Sequence, residues 1–392
     1  MNTQYITPAE FKDIAPFDDC DFQKRMSQLV KEPGFEHAIK YVMPDVNYQK
    51  FAENLLAIRT KAEFQSKIMS QFLDMLAAKT TTGLSISGIE NLQVDKRYTF
   101  ITNHRDIVLD ASFLNVLLLR NNIPTTEVAI GNNLLIFDWI SDLVKLNKSF
   151  IVKRDLKMLK ALEAAKQLSG YIHHAINEKY ESVWIAQREG RSKDSNDLTQ
   201  ESLIKMMALA GGGSMVENLK QINLVPVSIS YEYDPNDYLK AREFLMKRNN
   251  PEFKKSQRDD LFSMETGILQ PKGHVHFSVG NVINSSLEEI ETERDKTIVV
   301  KHVCKTIDDS IHQGYRIYPI NYIALDKLEN TQQFTEYYTD EDVESFEKYI
   351  KSQLAKVDDI PNLNDEDMQY MHEMMLSMYA NPLRNKLRAQ SK

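Results

Sequence analysis

The sequence predicts an α/β protein: a largely parallel mixed sheet flanked by helices, with helical N- and C-terminal extensions. Three observations carry that prediction. Between residues 84 and 280, short β-rich runs alternate with segments of helical period. The segments between strands are long enough for crossovers, which parallel strands require and hairpins do not. Outside that stretch the helical spacing continues and the β-rich texture is lost.

Taken in order, residues 1–80 form the first extension. Phe51, Leu55, Ile58, Ala62, Phe64, Ile68, Phe72 and Met75 recur at near-helical spacing, which predicts one amphipathic helix packed on the main body, with a membrane-contacting helix as the alternative. The opening Met1-Asn2-Thr3-Gln4 lacks the basic-then-apolar pattern of a signal peptide. Strands are expected at 84–89, 98–102, 125–130, 149–153, 182–186 and 222–230, with helices near 110–121, 133–145, 155–178 and 199–210. In 155–178, Leu156, Leu159, Leu162, Ala165, Leu168, Ile172 and Ile176 step by three or four, and Asp155 stands where an N-cap or first-turn acid belongs. Pro226 makes 222–230 an awkward central strand. Gly211-Gly212-Gly213-Ser214 reads as a flexible loop, with a phosphate cradle as the alternative.

Residues 237–266 read as charged helix broken at Asn249-Asn250-Pro251, and 273–280 alternates as a strand, with His274 and His276 as strand residues. From 287 the chain is mostly helical. An acidic connector at 357–367 leads to a last helix carrying Met368, Met371, Met374, Met375 and Met378 and ending in Arg384, Lys386, Arg388 and Lys392. The methionines read as core, with an acyl groove as the alternative. The basic tail is a candidate patch for a membrane surface. The organisation is thus 1–80 helical extension, 81–285 α/β domain and 286–392 helical extension.

Composition narrows the function classes. A chain of 392 residues with 42% hydrophobic and 27% charged residues is globular, and a net charge of −8 argues against nucleic acid as a partner. Two distant cysteines, Cys20 and Cys304, make no disulfide framework and fit a reducing compartment. No apolar run approaches the roughly 18 residues that span a bilayer.

The residues that carry chemistry cluster at strand ends. Asn103-His104-Arg105-Asp106-Ile107-Val108-Leu109-Asp110 lies where a strand hands over to a helix, the usual place for ligands in open α/β sheets. A histidine with a carboxylate to orient it is equipped for general-base work near neutral pH. Either Asp106 or Asp110 can also serve a helix N-terminus. Lys153 and Arg154 follow the next strand but one. Arg188-Glu189-Gly190-Arg191-Ser192-Lys193 follows the strand after that. Cations at successive strand ends suggest an anion site.

These stretches resemble the four ordered blocks of the glycerolipid acyltransferases, a family that includes the glycerol-3-phosphate and lysophosphatidate acyltransferases. The order is an Asn-His block with a downstream Asp, a Phe-Ile-x-x-Arg block ending at Arg154, a Glu-Gly-Arg-Ser block at Glu189, Gly190, Arg191 and Ser192, and a Val-Pro-Val block at Val225-Pro226-Val227. The resemblance covers about 84–285, with Gly88-Ile89-Glu90-Asn91-Leu92 and 273–283 as flanks. Two blocks depart by one residue. Five residues rather than four separate His104 from Asp110, and none separates Gly190 from Arg191.

The resemblance implies an enzyme of phospholipid biosynthesis that moves a fatty acyl group from a thioester, acyl-CoA or acyl-carrier protein, to a hydroxyl of a glycerol-phosphate or lysophospholipid-type acceptor. It implies His104 as general base with Asp110, or Asp106, orienting it. Arg154, Lys153, Glu189, Gly190, Arg191 and Ser192 would bind the acceptor. No metal or other cofactor is implied. The expected location is cytoplasmic, peripheral on the inner face of the membrane. Two alternatives stand beside this: an acceptor that is another lysolipid, such as an amino-acid-based one, or a catalytically inactive lipid-binding relative.

Overall fold

Among the described residues, seven strands form one sheet: β1 (Gly83–Ser87), β2 (Thr99–Thr102), β3 (Thr126–Gly131), β4 (Ser149–Val152), β5 (Ser182–Ala186), β6 (Leu224–Tyr231) and β7 (His274–Val279). The computed structural model describes residues 5–357, 360 and 363–391. Met1 to Gln4, Lys392 and four residues of the acidic connector (Asp358, Asp359, Pro361, Asn362) lie outside the described residues. The strand order is β1-β7-β6-β2-β5-β3-β4, and every pairing is parallel except β6 with β7. The loops that follow β2, β3, β4 and β5 therefore leave the same edge of the sheet, which is where the candidate residues lie.

Helices cover both faces, so β2 and β6 are buried along their whole length rather than on alternate residues. One face packs against the helices Ser70–Thr80 and Leu109–Arg120 through Leu73, Phe113, Leu117 and Phe100. The other packs against Met158–Asn177, Glu201–Met207 and Lys296–Gly314. Val299, Val303, Ile307 and Ile311 of the last of these share a cluster with Ile101 and Phe150, so the core runs on past residue 285.

Pro226 is tolerated for a geometric reason. Its carbonyl accepts the Gly280 N–H at 2.9 Å, so its nitrogen faces the same side, beyond Val279 where the β7 ladder has ended. The bond that its missing N–H forgoes falls at the very end of the pairing with β7.

Several local expectations give way. Residues 51–75 are not one helix: Tyr48–Ala57 ends, and a new start follows in which Thr60 caps the N–H of Glu63 at 3.2 Å while Glu63 reaches back to the Arg59 N–H at 2.8 Å. Thr60-Lys61-Ala62-Glu63 is the Thr-x-x-Glu start signal. Asp155 does not cap the long helix, which begins at Met158; it turns the chain at φ +58° instead. Only Asp138–Leu146 of 133–145 is regular α-helix. Ser214 after the three glycines caps a six-residue helix with Glu217, so the stretch leads into a capped helix start.

The C-terminal helices Pro319–Glu329, Asp340–Leu354 and Asp365–Gln390 enclose a third cluster with the helix Asp237–Asn249. Met371, Met375 and Met378 are buried in it and are core rather than an acyl groove. The basic end is largely engaged: Arg384 pairs with Glu329, and Lys386 donates to the Tyr315 carbonyl at 2.5 Å.

The two parts are tied by Asp237. Its carboxyl accepts from the hydroxyls of Tyr379 at 2.6 Å and Tyr349 at 2.8 Å. Burial pushes it up to about 7, against the effect of those hydroxyls and with the help of the nearby Asp234. A carboxyl raised in the folded state stabilises the fold below its unfolded pKa, and that contribution is lost as pH rises through about 7. Urea unfolding should show stability falling by a few kcal/mol between pH 4 and pH 7, and Asp237→Asn should remove most of that slope.

Candidate active site

β2 is followed by Asn103, whose side chain bridges to β6, donating to the Ile229 carbonyl at 2.9 Å and accepting its N–H at 2.7 Å. That clamp fixes where the next residue emerges. His104 leaves the sheet with its Nδ1 at 2.8 Å from Asp110 Oδ2 and its ring edge-on to Trp184, centroids 5.7 Å apart. The same Asp110 oxygen accepts the backbone N–H of Arg105 at 2.6 Å and of Asp106 at 3.1 Å. Asp110 is fully buried in the first turn of Leu109–Arg120, while His104 keeps partial access to an adjoining cavity. With Nδ1–H donated to the carboxylate, Nε2 is left as the basic atom.

The one-residue departure in this block is absorbed by the loop between the pair. Asp106 does not touch the histidine. Its Oδ1 accepts the N–H groups of Val108 at 2.8 Å and Leu109 at 2.7 Å, closing the start of the helix. Burial, and then the charge of Asp110, raise its carboxyl pKa. Lys272, itself lowered to about 8 by burial, is the cation that faces it. Arg105 turns away and forms a buried two-point pair with Asp197, at 3.2 and 2.6 Å, which also accepts the Tyr315 hydroxyl.

Gly267 lies hard against Asp106: a Cβ there would stand 1.9 Å from Oδ2, and Asp106 is too short and too firmly held to give way. Gly267→Ala should cost about 1–3 kcal/mol in urea unfolding and disturb the His104 loop.

The cavity that His104 borders has a volume of about 760 Å³. It runs beside one face of Leu109–Arg120, from Val108 past Ala111 and Ser112 to Leu119. Phe35, Phe64 and Leu73 of the N-terminal region wall its other side, and the lining is mostly apolar. Its lining includes the ionisable residues His104, Lys153, Arg154, Arg188 and Glu189, with Arg154 and Glu189 in contact.

The structure brings together some of the expected residues and separates others. Arg154 lines the cavity, with its N–H on Asn132 Oδ1 at 2.9 Å and its guanidinium 3.6 Å from Glu189. Gly131 at the end of β3 leaves it room, since a Cβ there would lie 2.7 Å from Arg154 Nε. Lys153 lines the cavity too, but its ammonium pairs with Asp13 at 2.5 Å and Gln167 at 3.0 Å. Gly190 makes its turn at φ +69°, where glycine is favoured. Arg191 is not among the lining residues; it faces Asp234, Asn236 and Lys240. Ser192 is buried and donates to Asp194 at 3.0 Å, holding its own loop. In place of Arg191 stands Arg188, whose Nε is buried with no hydrogen-bond partner among the described residues. Arg188 belongs to the same run of cations, but nothing in the run's spacing says which of them faces inward.

Residues 83–230, from β1 through β6, match the Acyltransferase family model. That segment, 148 of the 392 residues, is similar to acyltransferase domains. No curated protein sequence matches it. Among solved structures, the 1-acyl-sn-glycerophosphate (LPA) acyltransferase of Thermotoga maritima is similar over 73% of this chain and 95% of its own, at 13% identity and a TM-score of 0.35. Both the His104–Asp110 pair and the residues Arg154, Arg188 and Glu189 fall inside the matched segment. No helix among the described residues is long and apolar enough to cross a membrane.

Proposed function

We propose that this protein moves a fatty acyl group from a thioester to a hydroxyl of a glycerol-phosphate or lysophospholipid-type acceptor, with His104 as general base. The observation that carries the reading is a histidine, backed by a buried carboxylate, beside a 760 Å³ apolar cavity with two guanidinium groups in its lining. A mostly apolar space of this size suits a long hydrocarbon chain, and the guanidiniums suit an anionic head group.

In this reading His104 Nε2 takes the proton of the acceptor hydroxyl as that oxygen attacks the thioester carbonyl. Asp110 stabilises the imidazolium that results. The tetrahedral intermediate collapses with cleavage of the C–S bond, and the thiolate leaves with the proton from His104. Asp106 serves the loop and not the proton transfer. Arg154 and Arg188, rather than Arg191, would meet the acceptor's phosphate, with Glu189 holding Arg154 or the acceptor hydroxyl. The donor would be acyl-CoA or an acyl-carrier protein, and the enzyme would work peripherally on the cytoplasmic face of the membrane from which its acceptor comes.

Ser112, in the cavity lining on the first turn of Leu109–Arg120, gives the test. Ser112→Phe should shorten the space. The variant should lose about tenfold or more in kcat/KM for a palmitoyl thioester and keep its rate with a short-chain one. Equal loss for both chain lengths would detach the cavity from the acyl chain. The cations fit other anionic lysolipids as well. A panel of glycerol 3-phosphate, lysophosphatidate and an amino-acid-based lysolipid, read by thiol release, decides among acceptors, and release with none of them would favour an inactive lipid-binding relative.

A further inference from the structure

We propose that the segments following β3 and β4 together form the surface that docks this protein on an anionic phospholipid bilayer. The proposal rests on the reading of the cavity as an acyl-chain site. The two strands are paired neighbours, Ile130 beside Ile151 and Gly131 beside Val152, so the segments leave the sheet side by side. After β3 comes Leu134-Leu135-Ile136-Phe137, half-exposed and ending in Phe137, which is 54% exposed and stacked on Trp139. After β4 the helix Met158–Asn177 opens with Met158 89%, Leu159 79% and Leu162 48% exposed. Burial on that helix begins only at Leu168. Adjacent apolar side chains this exposed contribute nothing to the fold.

Charge identifies the occupant. Lys157 and Lys160 stand among the exposed apolar residues, with Lys166 beyond them, against Asp155 and Glu163, while Lys153 and Arg154 are turned to Asp13 and Glu189. Lysines interleaved with protruding apolar residues place cations at head-group level while the apolar tips enter the acyl boundary. The surface also adjoins the cavity: Leu134, Leu135, Leu156 and Ala161 line it. A lipid chain leaving the bilayer would pass between the two segments.

The test is flotation of the full-length protein with vesicles of equal parts phosphatidylglycerol and phosphatidylcholine, and with phosphatidylcholine alone. Two double variants, Met158→Ser with Leu159→Ser and Lys157→Glu with Lys160→Glu, lie outside the cavity lining. Wild type should float with the anionic vesicles and far less with the neutral ones. Each double variant should lose about tenfold or more in partitioning while turnover of water-soluble short-chain substrates stays unchanged. Hydrogen exchange on wild type should show vesicle-induced protection at 134–137 and 157–163, which keeps the proposal testable if a variant misfolds. Wild type that does not float, variants that float as wild type does, or protection centred on 365–390 would overturn it. So would variants that keep flotation and lose only turnover of an acyl-carrier-protein thioester, which would assign the patch to that protein. Docking through this surface by a chain that turns over no thioester would sink the acyl-transfer reading and leave the docking site standing.

Discussion

Replacing His104 with alanine should reduce acyl transfer by about 10²–10⁴-fold, enough to remove practical turnover. The effect should fall on kcat, because the imidazole acts on the proton of an acceptor already bound. The fold should survive, since the ring borders the cavity rather than filling the core clusters. A near-ultraviolet spectrum and a urea midpoint like those of wild type would separate lost chemistry from lost structure. If His104→Ala turned over a palmitoyl thioester near the wild-type rate, the histidine would have no part in the reaction.

Asp110→Asn should cost less, about 10²-fold. The reason lies in the oxygen that meets His104. It also accepts two backbone N–H groups, from Arg105 and Asp106, and these demand an acceptor at that place. Asparagine can keep its carbonyl oxygen there and preserve the orientation of the ring. What it loses is the negative charge that stabilises the imidazolium. Combining His104→Ala with Asp110→Asn should be no worse than His104→Ala alone, because the carboxylate acts only through the imidazole. An additive loss in the double variant would give Asp110 a role separate from the base. Asp106→Asn should leave the rate close to wild type, since the charge it removes faces Lys272 and the helix start rather than His104.

Much of the sheet is legible from sequence because helices cover both its faces. Each central strand is then a short β-rich run buried on both faces, as in Tyr98-Thr99-Phe100-Ile101-Thr102, and such runs stand out between helical periods. The helix break at Thr60 is also written in the chain. The apolar period runs through it unbroken from Phe51 to Met75, and periodicity masks a start signal of one turn. Leu159 and Leu162 belong to the periodic face of their helix and still lie exposed. Period reports which side of a helix is apolar, and says nothing of how far the helix overhangs what it packs against.

The site was legible in its blocks and not in its side-chain directions. His104 with a carboxylate six positions on is a sequence pattern. That Asp110 meets the ring while Asp106 closes the helix depends on how the five-residue loop folds. Arg188 and Arg191 are chemically equivalent in the sequence. The left-handed turn at Gly190 comes between them, and Arg188 faces the cavity while Arg191 faces Asp234 and Lys240.

The most direct measurement is thiol release from palmitoyl-CoA or a palmitoyl carrier protein at increasing lysophosphatidate, with the new ester quantified by mass spectrometry from the same samples. Acyl transfer at this pocket predicts release that depends on the acceptor, one ester formed for each thiol, and both signals gone in His104→Ala. Release that ignores the acceptor, or persists undiminished without the imidazole, would contradict it.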